Sequence, residues 1–97
     1  MDDADYAALG RYTTSAEAIK RITAEFNRQV QDLGDQLKRC YHKETDTFGN
    51  KLPSFDSAKM RSQMDEIATL YESIMDHGRE ANIYAERCGK PPFKMPR

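Results

Sequence analysis

The chain contains no tryptophan, only two cysteines and no long apolar run. Two cysteines are too few for the disulfide framework of a small secreted domain, so Cys40 and Cys88 are expected to be free thiols. No apolar stretch approaches the roughly 20 residues that span a bilayer, and residues 1–5 lack the basic and apolar regions of a signal peptide. These absences predict a cytoplasmic protein with no membrane segment.

Only 38% of the 97 residues are apolar and 32% are charged, whereas globular domains average about 45 to 50% apolar residues. A chain this short forms one domain with a thin core. The formal net charge of -1 creates no overall field that would attract nucleic acid or an anionic membrane. The composition therefore favours long helices with much solvated surface over a compact β or α/β domain.

The first helical pattern extends over residues 14–43, where apolar residues recur three or four positions apart. Thr14 and Glu17 have the spacing of a capping box, which places the start of this helix at Thr14. Residues 44–53 contain Gly49, which accepts the positive φ value of a chain reversal. The predicted apolar stripe consists of Ile19, Ile22, Phe26, Val30, Leu33, Leu37 and Cys40.

A second apolar seam extends over residues 54–89, with spacings that alternate between four and three. Ser54 follows a proline and is the expected N-cap of this helix. Gly89 ends the helix, and the prolines after it exclude a continuation. The side chains shrink along the seam, so its second half leaves room for large groups from elsewhere. The seam consists of Met60, Met64, Ile67, Tyr71, Ile74, Gly78, Ala81, Ala85 and Cys88.

Two long helices with a short connection predict an all-α fold, an antiparallel two-helix hairpin with coiled-coil-like packing. The whole chain, residues 1–97, is expected to form one helical domain. Residues 3–10 are predicted as a short separate N-terminal helix that Gly10 ends, and residues 90–97 as an extended proline-rich tail. A reversal centred near Gly49 places three pairs opposite each other, namely Leu37 and Met60, Val30 and Ile67, and Ile19 and Gly78.

No catalytic or metal-binding motif is found in the sequence. The two histidines, His42 and His77, lie far apart in the predicted hairpin, whereas a metal site needs three or four converging ligands. Cys40 and Cys88 lie on the apolar stripes, where cysteine packs as a small apolar residue, and neither is paired with the base that a nucleophile needs. We therefore expect a protein that is not an enzyme and has no cofactor.

Candidate interaction residues gather at the open end of the hairpin. The prolines keep the tail extended, so Phe93 and Met95 lose little entropy when the tail docks. Two alternatives are open: the tail binds a partner, or it folds back on its own helices. The predicted partner-binding residues are Tyr6, Leu9, Tyr12, Pro91, Pro92, Phe93, Lys94 and Met95.

A basic patch near the turn consists of Lys38, Arg39, His42 and Lys43. Basic side chains at the end of a helix interact favourably with the helix dipole, which explains the patch without a ligand. A nucleic-acid-binding domain usually carries a larger basic excess. We do not expect direct nucleic-acid binding, and a small nucleic-acid-binding dimer is kept as an alternative.

In length and in its two-helix plan the chain resembles the family of small secreted helical hairpins whose turn carries a Trp-x-Gly motif. The turn of this chain reads Phe-Gly-Asn at residues 48–50, and no tryptophan is present. The tail signal of that family has an acidic residue four positions after a tyrosine. At that spacing Cys88 follows Tyr84 and Met75 follows Tyr71, so we reject membership.

Three apolar residues outside the seam of the second helix suggest that more surface is covered in the working state; they are Leu70, Met75 and Ile83. A larger protein partner, or a second copy in a homodimer, would cover them. The leading hypothesis is a non-enzymatic interaction protein that binds and inhibits a larger protein complex, such as a phage or mobile-element accessory protein acting on a host nuclease or defence complex. A structural helical-hairpin homo-oligomer is the alternative.

Overall fold

A computed structural model describes residues 2–41 and 54–96, which form two helices, α1 (Asp3–Arg39) and α2 (Ser57–Ala85), and no strand. The helices pack antiparallel, with Arg11 against Tyr84 and Gln36 against Gln63. The molecule measures 74 × 19 × 18 Å, and its radius of gyration is 20.4 Å, against roughly 12 to 13 Å for a compact domain of this length. The predicted all-α hairpin is confirmed, while the predicted turn lies outside the described residues.

The first helix is continuous, so the predicted short helix 3–10 is the beginning of α1 and not a separate element. Asp2 is the N-cap: its carboxylate accepts the Asp5 N–H at 2.9 Å, and the Asp5 carboxylate accepts the Asp2 N–H in return. The predicted start at Thr14 is wrong, because the Thr14 hydroxyl donates to the Gly10 carbonyl at 2.9 Å inside the helix. Gly10 keeps a negative φ and costs the helix only about 1 kcal/mol relative to alanine.

The ends of the helices also differ from the predicted bounds. The first helix ends at Arg39 instead of residue 43, because the N–H groups of Cys40 and Tyr41 turn back to carbonyls three residues earlier. The second helix begins after Asp56, not after Ser54, because the Asp56 carboxylate accepts the Lys59 N–H at 3.0 Å.

The second helix ends at Ala85, four residues before the predicted end at Gly89, and residues 86–89 form a turn. Gly89 is the residue at which the chain reverses, as the sequence predicts. Its φ is +71°, which glycine adopts without steric cost. The Lys90 N–H donates to the Ala85 carbonyl at 3.0 Å, and the Gly89 N–H donates to the Glu86 carbonyl at 3.3 Å. This pair of bonds is the Schellman motif that closes many helices, and it directs the tail back along the hairpin.

One aromatic contact reports the register of the two helices. The ring centroids of Phe26 and Tyr71 are 6.2 Å apart. Phe26 lies about one turn before Val30, and Tyr71 lies about one turn after Ile67. The contact therefore agrees with the predicted pairing of Val30 with Ile67.

The core is thin and built mainly from small residues. Two positions of the predicted stripe, Val30 and Leu37, are 44% and 50% exposed, while Ser15 and Gln36 are buried. The α1 stripe is thus rotated relative to the contact with α2, so that part of its apolar side faces away from the seam. The buried apolar residues are Ala8, Ala18, Leu33, Ile67, Ile74, Ala81, Ala85 and Cys88.

Candidate functional site: a docked tail and an exposed apolar face

The tail lies back on the helices of its own chain, which is one of the two predicted alternatives. A Cβ atom placed on Gly78 would lie 2.5 Å from Cδ1 of Phe93 and 3.0 Å from the sulfur of Met95. Both tail side chains therefore rest on the backbone of α2, in space that only glycine leaves free. The small half of the α2 seam is filled from within the chain.

Asn82 holds the backbone of the tail on both sides of one residue. The Phe93 N–H donates to Asn82 Oδ1 at 2.6 Å, and Asn82 Nδ2 donates to the Phe93 carbonyl at 2.9 Å. An extended proline-rich segment has no internal hydrogen bonds, so these two bonds fix its position on the helix. Phe93 is thus anchored by its ring and by its peptide groups together.

The first helix completes the groove that holds the tail. The Tyr12 hydroxyl donates to the Pro91 carbonyl at 3.0 Å. A cavity of about 390 Å³ lies between the tail and the helices, and its lining includes Ile19 and Ala81. The bulky α1 stripe and the small α2 residues meet here, as the predicted pairing of Ile19 with Gly78 requires.

The structure brings together only part of the predicted partner-binding set. Tyr12 and the tail residues Pro91, Pro92, Phe93 and Lys94 line one groove, and Met95 joins them at Gly78. Tyr6 is 63% exposed near the start of α1, and Leu9 is half-buried. A partner-binding role for these residues stays a prediction.

Four large apolar side chains are exposed in the half of the hairpin nearer the turn, and we call them the apolar face. Val30 and Leu37 belong to α1 and are 44% and 50% exposed; Met64 and Tyr71 belong to α2 and are 53% and 42% exposed. Within each pair the residues are seven positions apart, so they lie on one side of their helix. The contact between Phe26 and Tyr71 shows that both pairs are on the same side of the hairpin.

The tail covers the continuation of this same side. Ile19, beside the tail, precedes Phe26 by seven residues, which is about two helical turns. Asn82 follows Tyr71 by eleven residues, which is about three turns. One apolar strip therefore extends along one side of the hairpin. The tail covers this strip at the open end of the hairpin and leaves the apolar face uncovered.

The opposite side of the hairpin carries a network of amides and carboxylates that the sequence did not reveal. Gln63 Nε2 donates to Gln29 Oε1 at 3.0 Å and to Asp32 Oδ2 at 2.9 Å. Gln36 Nε2 donates to Gln63 Oε1 at 2.7 Å and to Asp32 Oδ2 at 2.8 Å. Gln29 Nε2 reaches Glu66 Oε2 at 3.2 Å. These bonds join the two helices. They also give the side-chain nitrogen of Gln36 two hydrogen-bond acceptors, although Gln36 is only 8% exposed.

Two carboxylates on this side have a perturbed pKa. The amide donors of Gln63 and Gln36 hold the pKa of Asp32 below its usual range. The Arg28 guanidinium, which donates two hydrogen bonds to Glu25 at 2.9 and 2.6 Å, lowers the pKa of that carboxyl in the same way. Both carboxyls are therefore held in the charged form, which suits structural bonding and not proton transfer.

The described residues include both cysteines and two of the four members of the basic patch. Cys88 is buried, and Cys40 Sγ lies 3.2 Å from the carbonyl oxygens of Gln36 and Ser54. Within residues 2–41 and 54–96, no three His, Cys, Asp or Glu side chains converge in a way that suits a metal ion. Lys38 and Arg39 are exposed at the end of α1, and the other two members of the patch, His42 and Lys43, lie outside the described residues.

No family model, curated protein or solved structure matches this chain. Neither described helix has the length of apolar sequence required to cross a membrane.

Proposed function

We propose that this chain is a non-enzymatic helical interaction protein that binds a protein partner through the apolar face. The observation that carries the proposal is the grouping of Val30, Leu37, Met64 and Tyr71, each 42 to 53% exposed, on one side of two adjacent helices. Single exposed apolar residues are ordinary on protein surfaces. Apolar residues at heptad spacing on neighbouring helices are typical of a surface that packs against further helices.

The total exposed surface supports the same proposal. The chain exposes 7645 Å², whereas a compact monomer of 11.2 kDa exposes about 5,700 Å². The difference of roughly 1,900 Å² arises because two helices alone make a rod with one seam. Packing a partner along the rod brings its exposed surface closer to that of an ordinary folded protein.

We place the binding surface on the apolar face and not on the tail, because the tail's Phe93 and Met95 already contact α2. The docked tail still shows which chemistry this side of the hairpin accepts, namely aromatic and thioether side chains. The finer hypothesis, inhibition of a host nuclease or defence complex by a phage or mobile-element protein, stays a prediction. So does the alternative of a small nucleic-acid-binding dimer.

A capture experiment from the native host tests the proposal. The bait is the full chain, compared with Leu37→Glu and Met64→Glu, whose side chains are exposed enough that the substitutions cost little core packing. The sequence pattern groups Ile83 with residues that a partner would cover, but in the structure its position on α2 lies roughly a third of a turn away from that of Tyr71, outside the apolar face. Because Ile83 is 67% exposed, Ile83→Glu is the matched control.

We expect specific proteins to be retained by the wild-type chain and by Ile83→Glu and lost with the two face variants. The captured protein would be identified, and its binding to each variant measured with purified components. Equal retention by the face variants and the wild type contradicts the proposal. So does a wild-type chain that binds neither a host protein nor itself.

A further inference from the structure

We infer that the partner on the apolar face is a second copy of this chain, so that two hairpins associate face to face as a four-helix assembly. This inference rests on the proposed function, because it names the partner for the same surface. Three features of the chain favour a second copy: the size of the side that carries the apolar face, an open space at Gly34 on that side, and the small net charge.

The area available matches what a stable dimer removes. A protein–protein interface of standard size buries about 800 Å² on each partner. The hairpin measures 74 × 19 × 18 Å, so the side that carries the apolar face is large enough for such an interface. The uncovered strip from Phe26 to Leu37 is about 16 Å long, and the neighbouring α2 pair roughly doubles its width.

Gly34 leaves an open space beside the apolar face. A glycine inside a helix costs about 1 kcal/mol relative to alanine, yet a Cβ atom on Gly34 would meet nothing within 4 Å. Gly34 follows Val30 by four residues and precedes Leu37 by three, so it borders the apolar face. Packing within the described parts of the chain therefore gives no reason for a glycine at this position.

Three glycines lie inside the described helices, and only Gly34 is both open and beside the apolar face. Gly10 is also open, but its position is about half a turn away from those of the α1 residues of that face. At Gly78 the missing side chain makes room for Phe93 and Met95 of the tail. Gly34 lies beside the continuation of the same apolar strip, and the space above it is open. A missing side chain permits close approach of another backbone, so we place the first helix of a second copy against Gly34.

Two-fold symmetry and charge favour a second copy over another occupant. In a symmetric pair the same patch serves both partners, so each copy covers the apolar face of the other with a single interface. The apolar face has no charged member that would require an oppositely charged partner. The net charge of only -1 per chain makes the electrostatic repulsion between two copies small.

The test is the mass of the full chain in solution, measured by sedimentation from low micromolar concentration up to about 200 µM, the range in which a modest interface associates. We expect twice the chain mass of 11.2 kDa. Because each substitution occurs twice in a symmetric dimer, Leu37→Glu and Met64→Glu should each raise the dissociation constant about 100-fold or more. Ile83→Glu should leave it unchanged.

A pair of glycine substitutions tests the open space at Gly34. Gly34→Ala and Gly10→Ala make the same change in the same helix, and in both cases a Cβ meets nothing within 4 Å among residues 2–41 and 54–96. Both should raise the helical stability of the single chain by similar amounts. Only Gly34→Ala should weaken association, by about tenfold, because an added methyl group forces the packed helices apart.

A chain that stays monomeric at about 200 µM overturns the inference, as does a dimer that both face variants leave intact. Equal effects of the two glycine substitutions on association overturn the placement at Gly34. If the chain is monomeric but captures a host protein through the apolar face, the second copy is excluded and the proposed function stands. If it is monomeric and captures nothing, both proposals fail.

Discussion

The ring of Phe93 occupies the space in which a side chain at Gly78 would lie, with Cδ1 of Phe93 only 2.5 Å from the position of a Cβ atom. Gly78 belongs to α2, and Phe93 follows it in the tail. The tail reaches Gly78 only because Gly89 turns the chain back. The contact between Phe93 and Gly78 therefore depends on three features together: the turn at Gly89, the extended tail, and the small residues in the second half of the α2 seam.

Gly78→Ala should release the tail. The added methyl group takes the place of the Phe93 ring, and ring and methyl cannot both remain without a shift of the tail. Hydrogen exchange at the Phe93 amide measures this, because that N–H is bonded to Asn82 at 2.6 Å when the tail is docked. We expect faster exchange in Gly78→Ala and unchanged exchange in the control Gly10→Ala; a Phe93 amide that stays protected in Gly78→Ala contradicts the packing described here.

Asn82→Ala should weaken tail docking more than Tyr12→Phe. The first substitution removes two hydrogen bonds to Phe93, and the second removes only the bond from the Tyr12 hydroxyl to the Pro91 carbonyl. At about 1 kcal/mol per bond, the expected losses in docking free energy are about 2 and about 1 kcal/mol. The population of docked tail, measured by NMR from the contact between the Phe93 ring and the Gly78 α-protons, gives both values on one scale. If Tyr12→Phe weakens docking more than Asn82→Ala does, the main anchor of the tail lies on α1.

The N-terminus of α1 provides a test of where the helix begins. Asp2→Ala should lower the free energy of unfolding by about 1 kcal/mol, because it removes the side chain that caps the helix. Thr14→Ala should be neutral or slightly stabilising, since the Thr14 hydroxyl bonds to the Gly10 carbonyl within the helix and alanine is the better helix former. Thermal unfolding followed by circular dichroism measures both. A larger loss for Thr14→Ala would support a separate N-terminal helix.

The sequence predicts those parts of the fold that depend on local pattern. The periodicity of α2 predicts its buried residues from Ile67 to Ala85, although Met64 and Tyr71 of the same predicted seam are exposed. The reversal at Gly89 follows from the φ values that glycine accepts.

Local pattern misleads at Thr14, because the same hydroxyl either caps a helix or bonds to a carbonyl within one. Asp2 caps the helix twelve residues before Thr14, and the helix continues through Gly10.

The candidate site depends on contacts that no local pattern contains. Asn82 is one polar residue among small neighbours, and its role becomes visible only when the tail is placed on α2. The exposure of Val30 and Leu37 depends on a rotation of α1 that brings Gln36 into the contact. An apolar stripe indicates which side of a helix avoids water, but it does not say which edge of that stripe meets the partner helix.

Acid should destabilise the hairpin partly through Asp32. Because Gln63 and Gln36 lower the pKa of Asp32 in the folded chain, the unfolded chain takes up a proton at this carboxyl at higher pH than the folded chain does. The contribution of Asp32 to stability is therefore fully present above its ordinary pKa, about 4, and is lost as the pH falls through the lower folded value.

Melting temperatures measured from pH 7 to pH 2 should fall less steeply in Asp32→Asn than in the wild type. Asp35→Asn, an exposed position on the same helix outside the amide network, should follow the wild-type curve. Identical acid sensitivity in Asp32→Asn and wild type would show that the network does not depend on the charge of this carboxylate.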